Sequence, residues 1–320
     1  MLNYKDFKLI IPDKNQVSEI QHLIDIKNGS IFHDYFLNEI VKETFNTQFY
    51  YLVDNPANIS VFSPIHVTTD KYGLKRYNFK PLYDIPYAGF IGNEEPTKTD
   101  ISIGFLESVK YEGFPHNNTS PLFYDRLGET SMVDLTISED EIFETVIHSK
   151  RRNMIRKALK SGITIKIFHT SEGLEQFWPI LNELHKYIKI DFLTYDYYNK
   201  IFQKFKNNKQ AFILLAYKGF KAISGVFILG NKNYMHYYKG ASLFDVKNEG
   251  QGELLQWEAI KYSKSLGTKF YDLCNLEKEK LPAIYRFKTG ISNNIYHYPI
   301  FTNNKLGYKI IKRLLINDKD

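Results

Sequence analysis

Two domains of mixed α/β character are the architecture that this sequence predicts, and three observations predict it. The 320 residues, 43% of them apolar, exceed what one hydrophobic core usually serves. Helical spacing and strand-like runs alternate along the chain, with no tandem repeat and no low-complexity tract. From residue 163 onward the order is strand, two helices, three closely spaced strands, helix and strand. That order gives an antiparallel meander flanked by helices.

Each element has a local reason. Phe32 to Phe45 reads as a helix because Phe36, Ile40, Val41 and Phe45 fall near one face, and Tyr50–Phe62 and Lys75–Phe79 read as strands. The loop from Pro81 to Gly92 sets aromatic side chains, Tyr87 among them, beside glycines; it suits a pocket wall or a plain connection. Ser138-Glu-Asp-Glu141 has the form of a capping box. The helix it opens is expected to carry Ile142, Phe143, Val146 and Ile147 inward and to run through Lys150, Arg151, Arg152, Arg156, Lys157 and Lys160 until Gly162 stops it. Ile163–Phe168 follows as a strand, Ser171–Ile188 as a helix, and Thr194 caps another through Phe205. Ala211–Tyr217, Lys221–Leu229 and Tyr234–Ser242 are strands joined by short Gly-containing loops. Helix Gly252–Leu266, strand Lys269–Cys274, a helical segment Leu281–Lys288 and strand Ile295–Phe301 complete the reading.

Several function classes fall away. The longest apolar run, Ala211 to Tyr217, is far short of the roughly 20 residues that cross a bilayer, and the N-terminus shows no apolar signal region. A cytoplasmic location is the expectation. Cys274 stands alone, and the His residues show no zinc-site spacing, so no metal is expected. A net charge of +6 does not announce a DNA-binding domain, and P-loop, serine-elbow, kinase and zincin signatures are missing.

The charge is local instead. Arg152, Arg156 and Lys160 form a stripe at i, i+4 and i+8 opposite Met154, Ile155, Ala158 and Leu159. It is either a solvated face or a contact to phosphates. Arg151 falls among the apolar positions, where a guanidinium needs an anionic partner or room to snorkel. Further on, Lys247-Asn-Glu-Gly-Gln-Gly252 puts glycines before a helix, leaving backbone amides for an anion, or is a flexible loop. Lys247, Gly250 and Gly252 approximate the R/Q-x-x-G-x-G/A coenzyme A loop of GNAT N-acetyltransferases, with Lys for Arg or Gln.

A wider resemblance covers residues 130 to 300. Lys150-Arg-Arg-Asn-Met-Ile-Arg-Lys-Ala-Leu-Lys-Ser-Gly162, Tyr237-Tyr-Lys-Gly-Ala-Ser242, Leu255-Gln-Trp-Glu-Ala-Ile260 with Gly267 and Tyr271-Asp-Leu273, and Arg286-Phe-Lys-Thr-Gly290 occur in order. Together they resemble the C-terminal half of the FemAB family, GNAT-like aminoacyl and acyl transferases that include peptidoglycan bridge-forming enzymes. Tyr87-Ala-Gly-Phe-Ile-Gly92 stands where the family has a Pro-Tyr-Gly-Gly loop, and Cys274-Asn275 replaces glycines after Tyr-Asp-Leu. The resemblance implies two GNAT-like domains, about 1–145 and 146–320, each a mixed, largely antiparallel sheet flanked by helices. It implies transfer of an acyl or aminoacyl group to an amine of a cell-envelope precursor, peptidoglycan or a polysaccharide sugar. No cofactor would be held permanently; acyl-coenzyme A or aminoacyl-tRNA would be the donor. Lys288 would stabilise the oxyanion, with Asp272 or Glu253 as an amine base and Tyr237 or Tyr238 as an acid for the leaving group; the alternative for Asp272 is to cap the turn after its strand. Arg152, Arg156, Tyr87 and Phe287 would bind a phosphate-bearing precursor, tRNA is a second candidate partner, and a lipid-linked substrate would bring the protein to a membrane surface. The rival expectation is a non-catalytic, GNAT-shaped binder of a nucleotide sugar or RNA.

Overall fold

The computed structural model describes residues 2–80, 85–92, 96–115, 124–190 and 192–317. The chain divides into two compact units, Met1–Glu129 with Tyr296–Asp320, and Thr130–Ile295. The boundary anticipated at 145/146 thus falls inside the second unit, and the chain from Tyr296 on returns to the first. Strand pairing is the reason. β8 (Arg126–Asp134) pairs through Met132, Val133 and Asp134 with a strand of the second unit, whereas Ile300–Asn304 pair with Ser108–Glu112 of the first.

In the first unit, β2 (Lys8–Ile10), β3 (Gln48–Val53), β4 (Phe62–Thr69), β5 (Lys75–Asn78), β7 (Glu107–Glu112) and β14 (Ile295–Asn304) lie side by side in that order, antiparallel except for β5 and β7. Short β1 (Asn3–Tyr4) and β6 (Ile101–Ser102) pair separately. The strand anticipated over 50–62 is divided between β3 and β4, because the Asp54 carboxylate accepts from the Ser60 and Val61 amides and closes a turn. Asp13 and Asp34 cap α1 (Lys14–Ile26) and α2 (Tyr35–Phe45).

Tyr87 belongs to this unit's core and not to a pocket wall. It is fully buried, with its ring against Phe32, Phe114 and Tyr298. Gly89, at φ +67°, lets the backbone of Gly113 approach where a Cβ would stand 2.6 Å from its Cα. Residues 81–84 of the same loop lie outside the described residues.

In the second unit the strand order is β8, β13 (Phe270–Asp272), β12 (Tyr234–Ser242), β11 (Lys221–Gly230), β10 (Ala211–Lys218) and β9 (Ile163–Phe168), antiparallel except for β12 and β13. The β10–β11 turn is Gly219-Phe220, with Gly219 at φ +61° as a two-residue hairpin requires. One face of the sheet packs on α4 (Ser149–Lys160) and α7 (Gln251–Ser265), whose Leu254, Leu255, Ala259 and Ile260 join Leu214, Val226 and Ile228 in one core. The other face takes α5 (Ser171–Tyr187) and α6 (Tyr195–Phe205) through Phe177, Tyr198 and Phe202.

The helix anticipated from 138 to 160 is two helices. Ser138 caps α3 (Glu139–Glu141), which continues as a π-helical turn over Ile142–Val146 and stops at extended Ile147; His148 then caps α4. The break leaves carbonyls without helical partners, and Arg152 takes them: its guanidinium donates to Glu144 O and Ile147 O, each at 2.7 Å. α8 (Pro282–Ile291) and α9 (Leu306–Asn317) are the last helices.

Candidate functional site

The second unit's sheet opens at its parallel pair. β12 matches β13 only over Tyr234–His236 and then runs on alone beside β11. Where they part, β12 carries a bulge: Ile228 faces Tyr237 and Phe227 faces Lys239, leaving Tyr238 as the extra residue. A cavity of about 560 Å³ lies along β12 from Tyr237, the first residue past its pairing with β13, to Ser242. Its walls come from β11 and β12, the N-terminus of α7, α4 through Arg151, and α8 through Ile284 and Phe287.

At the cavity wall the Arg151 guanidinium donates to Glu253 Oε1 at 2.7 Å and to Arg286 O at 2.9 Å and stands over the Phe287 ring at 5.4 Å. The anionic partner that its position on the helix demanded is therefore a buried carboxylate in the first turn of α7. Because Glu253 and Arg286 lie far along the chain, helical periodicity gave no sign of which partner it would be. Phe287 thus sits at the cavity.

Arg152 and Arg156 do not reach this wall. Arg152 is spent on the carbonyls of the α3–α4 break, and Arg156 lies over the Phe143 ring at 5.3 Å and beside Glu144 at 3.5 Å. Two residues of the stripe, Arg152 and Arg156, are held by the segment before it.

Asn248 in the loop before α7 and Gly252 in the first turn of that helix line the cavity, whereas Lys247 is exposed and does not. The amides of Glu249 and Gly250 are occupied by the side chains of Gln251 and Asn248. Gly250 is required by a protein contact: at φ +95°, a Cβ there would lie 2.1 Å from Met154 O of α4. Gly250→Ala is expected to destabilise the second unit by roughly 2 kcal/mol or more, combining left-handed strain with that clash; a thermal melt would check it.

Lys288, on α8, points its ammonium at the turn after β13. Nζ donates to Cys274 O at 2.7 Å and Asn275 O at 3.0 Å and stands over the Tyr237 ring at 5.8 Å. Tyr237 in turn lines the cavity, so the ammonium lies behind its aromatic wall. Burial pulls the Lys288 pKa below the ordinary lysine value against the opposing pull of Cys274 and Asp272. The Tyr237 phenol is pushed up to about 12, chiefly by burial, so it stays protonated at neutral pH.

Two expected catalytic groups lie elsewhere. Tyr238, the bulge residue, turns to the opposite sheet face, where its hydroxyl is 3.2 Å from that of Tyr197 and its ring meets Phe227. Asp272 is fully buried and outside the cavity wall. Its Oδ1 accepts from Thr130 Oγ1 at 2.5 Å and the Cys274 amide at 2.9 Å, and its Oδ2 meets His236 Nδ1 at 2.7 Å. A base for an incoming amine needs access that these placements deny.

A tandem of mixed sheets, the second splayed around a bulged strand with a helix starting at the opening, is the GNAT-type architecture. Three solved structures share the fold. The crystal structure of FemX matches at TM-score 0.65 and 11% identity over 95% of this chain and 99% of that one. L-PGS from Bacillus licheniformis matches at 0.51 and 12%, over 95% and 96%. A tandem GNAT protein from the clavulanic acid biosynthesis pathway matches at 0.51 and 10%, over 95% and 98%. Residues 92–227 match the model of the FemAB family, and the fold of the chain is that of tandem GNAT proteins. No curated protein matches the sequence.

Proposed function

We propose that the protein is an N-acyltransferase that moves an acyl or aminoacyl group to an amine of a cell-envelope precursor, peptidoglycan or a polysaccharide sugar. The observation that carries this reading is the Lys288 ammonium, anchored by two carbonyls and lying over the Tyr237 ring at the wall of a cavity that runs along β12 past its pairing with β13. Attack of an amine on the acyl carbonyl builds negative charge on its oxygen. A lysine ammonium has three N–H donors; two are held by Cys274 and Asn275, and the third would meet an oxyanion once the Tyr237 ring that separates it from the cavity moves aside. Of the two tyrosines expected as candidate acids for the leaving group, Tyr237, protonated and at the wall, takes the role. Phe287, Asn248 and Gly252 would hold the donor near the α7 N-terminus. The rival reading, binding of RNA or a nucleotide sugar through Arg152 and Arg156, loses support because both side chains already have protein partners.

The donor, acyl-coenzyme A or aminoacyl-tRNA, is decided by thermal shift. A ligand at 100 times its dissociation constant adds about 2.7 kcal/mol of stability. One of the two donors is expected to raise the melting temperature and to support transfer to an envelope-precursor amine. Silence from both, in melting and in transfer, would refute the proposal.

A further inference from the structure

Beneath Lys288 lies a second cluster of chemistry-bearing groups that acyl transfer leaves unused. It is assembled from three short segments: His236 on β12, Asp272 opposite it on β13, and Cys274 in the turn that follows. All three residues are buried. His236 Nδ1, Asp272 Oδ2 and Cys274 Sγ are mutually close, at 2.7 Å (nitrogen to oxygen), 3.6 Å (sulfur to oxygen) and 3.9 Å (sulfur to nitrogen). Tetrahedral zinc bonds of ordinary length separate such ligand atoms by about 3.3–3.6 Å. The two sulfur distances need only tenths of an ångström of adjustment. The nitrogen–oxygen pair is tighter because a proton, not a metal, joins it.

The surroundings fit the same use. Thr130 Oγ1 and the Cys274 amide both donate to Asp272 Oδ1, which turns Oδ2 toward the imidazole and the thiol. This is the outer support that fixes a ligating carboxylate. Cys274 holds a left-handed backbone at φ +57°, a conformation that disfavours every residue with a side chain except Asn and Asp. That conformation carries the thiol back toward the Asp272 carboxylate two residues before it. One thiolate, one imidazole and one carboxylate form a donor set suited to zinc and unsuited to magnesium or calcium.

We propose that His236, Asp272 and Cys274 bind one zinc ion, with a small exogenous ligand in the fourth position. The expectation of no metal was drawn from contiguous spacing, which a site split between two parallel strands does not show. Binding releases one proton per ion, from the Cys274 thiol; the Nδ1 proton of a neutral His236 passes to Nε2, leaving Nδ1 to the metal. The ion would tie β12 to the turn whose Cys274 and Asn275 carbonyls hold Lys288.

The test is metal titration of the whole chain after stripping with a chelator. Zinc is expected to bind at one ion per chain, to raise the melting temperature and to release one proton. Cobalt(II) should give the near-ultraviolet thiolate-to-metal band, which reports sulfur ligation directly. Cys274→Gly relieves the left-handed strain, so it should fold at least as well as the natural chain; it should lose the cobalt band and bind zinc at least tenfold more weakly. His236→Gln should also lose tight binding. No zinc uptake by the stripped chain, or equal uptake by Cys274→Gly, would overturn the proposal. Both readouts are independent of acyl transfer, so either proposal can fail alone.

Discussion

Lys288→Ala is expected to lower the rate of acyl transfer about a hundredfold, the usual cost of removing one donor from a developing oxyanion. The loss should appear in kcat with little change in KM, because the ammonium meets the acyl oxygen only as charge builds on it. The fold should survive, since the two carbonyls that Nζ holds belong to an irregular turn that water can reach once the side chain is shortened. Lys288→Arg keeps the charge but changes a compact ammonium into a planar fork, and should recover only part of the rate. Steady-state kinetics with the donor identified by thermal shift, beside a circular dichroism spectrum, would check both. An unchanged kcat in Lys288→Ala would remove the residue from the reaction.

The second large effect is on stability. Arg151→Ala leaves the Glu253 carboxylate, 3% exposed, without its cation, and breaking such a buried pair typically costs about 3–5 kcal/mol. Because the Arg151 side chain is 23% exposed, the lower end of that range applies. Arg151→Met with Glu253→Gln should recover most of the loss, since the stranded charge is gone. The chain has two tryptophans, Trp178 and Trp257, and both lie in the second unit, so fluorescence-detected urea unfolding reads this unit alone. If Arg151→Ala melts with the natural chain, the pair is only a surface contact.

What the sequence disclosed follows the distance over which each element is decided. Ser138, Thr194 and the Gly219-Phe220 turn act within a few residues, and each does what its local chemistry requires. The motif Phe287-Lys288 was legible only because it resembles a family signature; Phe287 lines the cavity, and Lys288 lies over the ring of Tyr237. The failures are non-local. Nothing near residue 147 announces a break, because the break is sustained by Arg152 from the following helix. Tyr87 looks like a pocket residue beside its glycines, yet those glycines admit a neighbouring backbone and the ring fills a core. The His236, Asp272 and Cys274 group depends on strand register, which pairs residues 36 positions apart.

The bulge in β12 has a practical meaning for anyone who would redesign the cavity. Strand alternation counted along the sequence would group Tyr237 with Lys239 and Ala241 on one side. The extra residue shifts that count, and the pairing puts Tyr237 with Gly240 and Ser242 instead, so closely that a Cβ on Gly240 would meet the Tyr237 hydroxyl at 2.1 Å. A mutant library meant to alter substrate choice from this wall should therefore vary 242 while keeping tyrosine at 237 and glycine at 240, whereas one drawn up on simple alternation would include Lys239, which pairs with Phe227 and does not line the cavity.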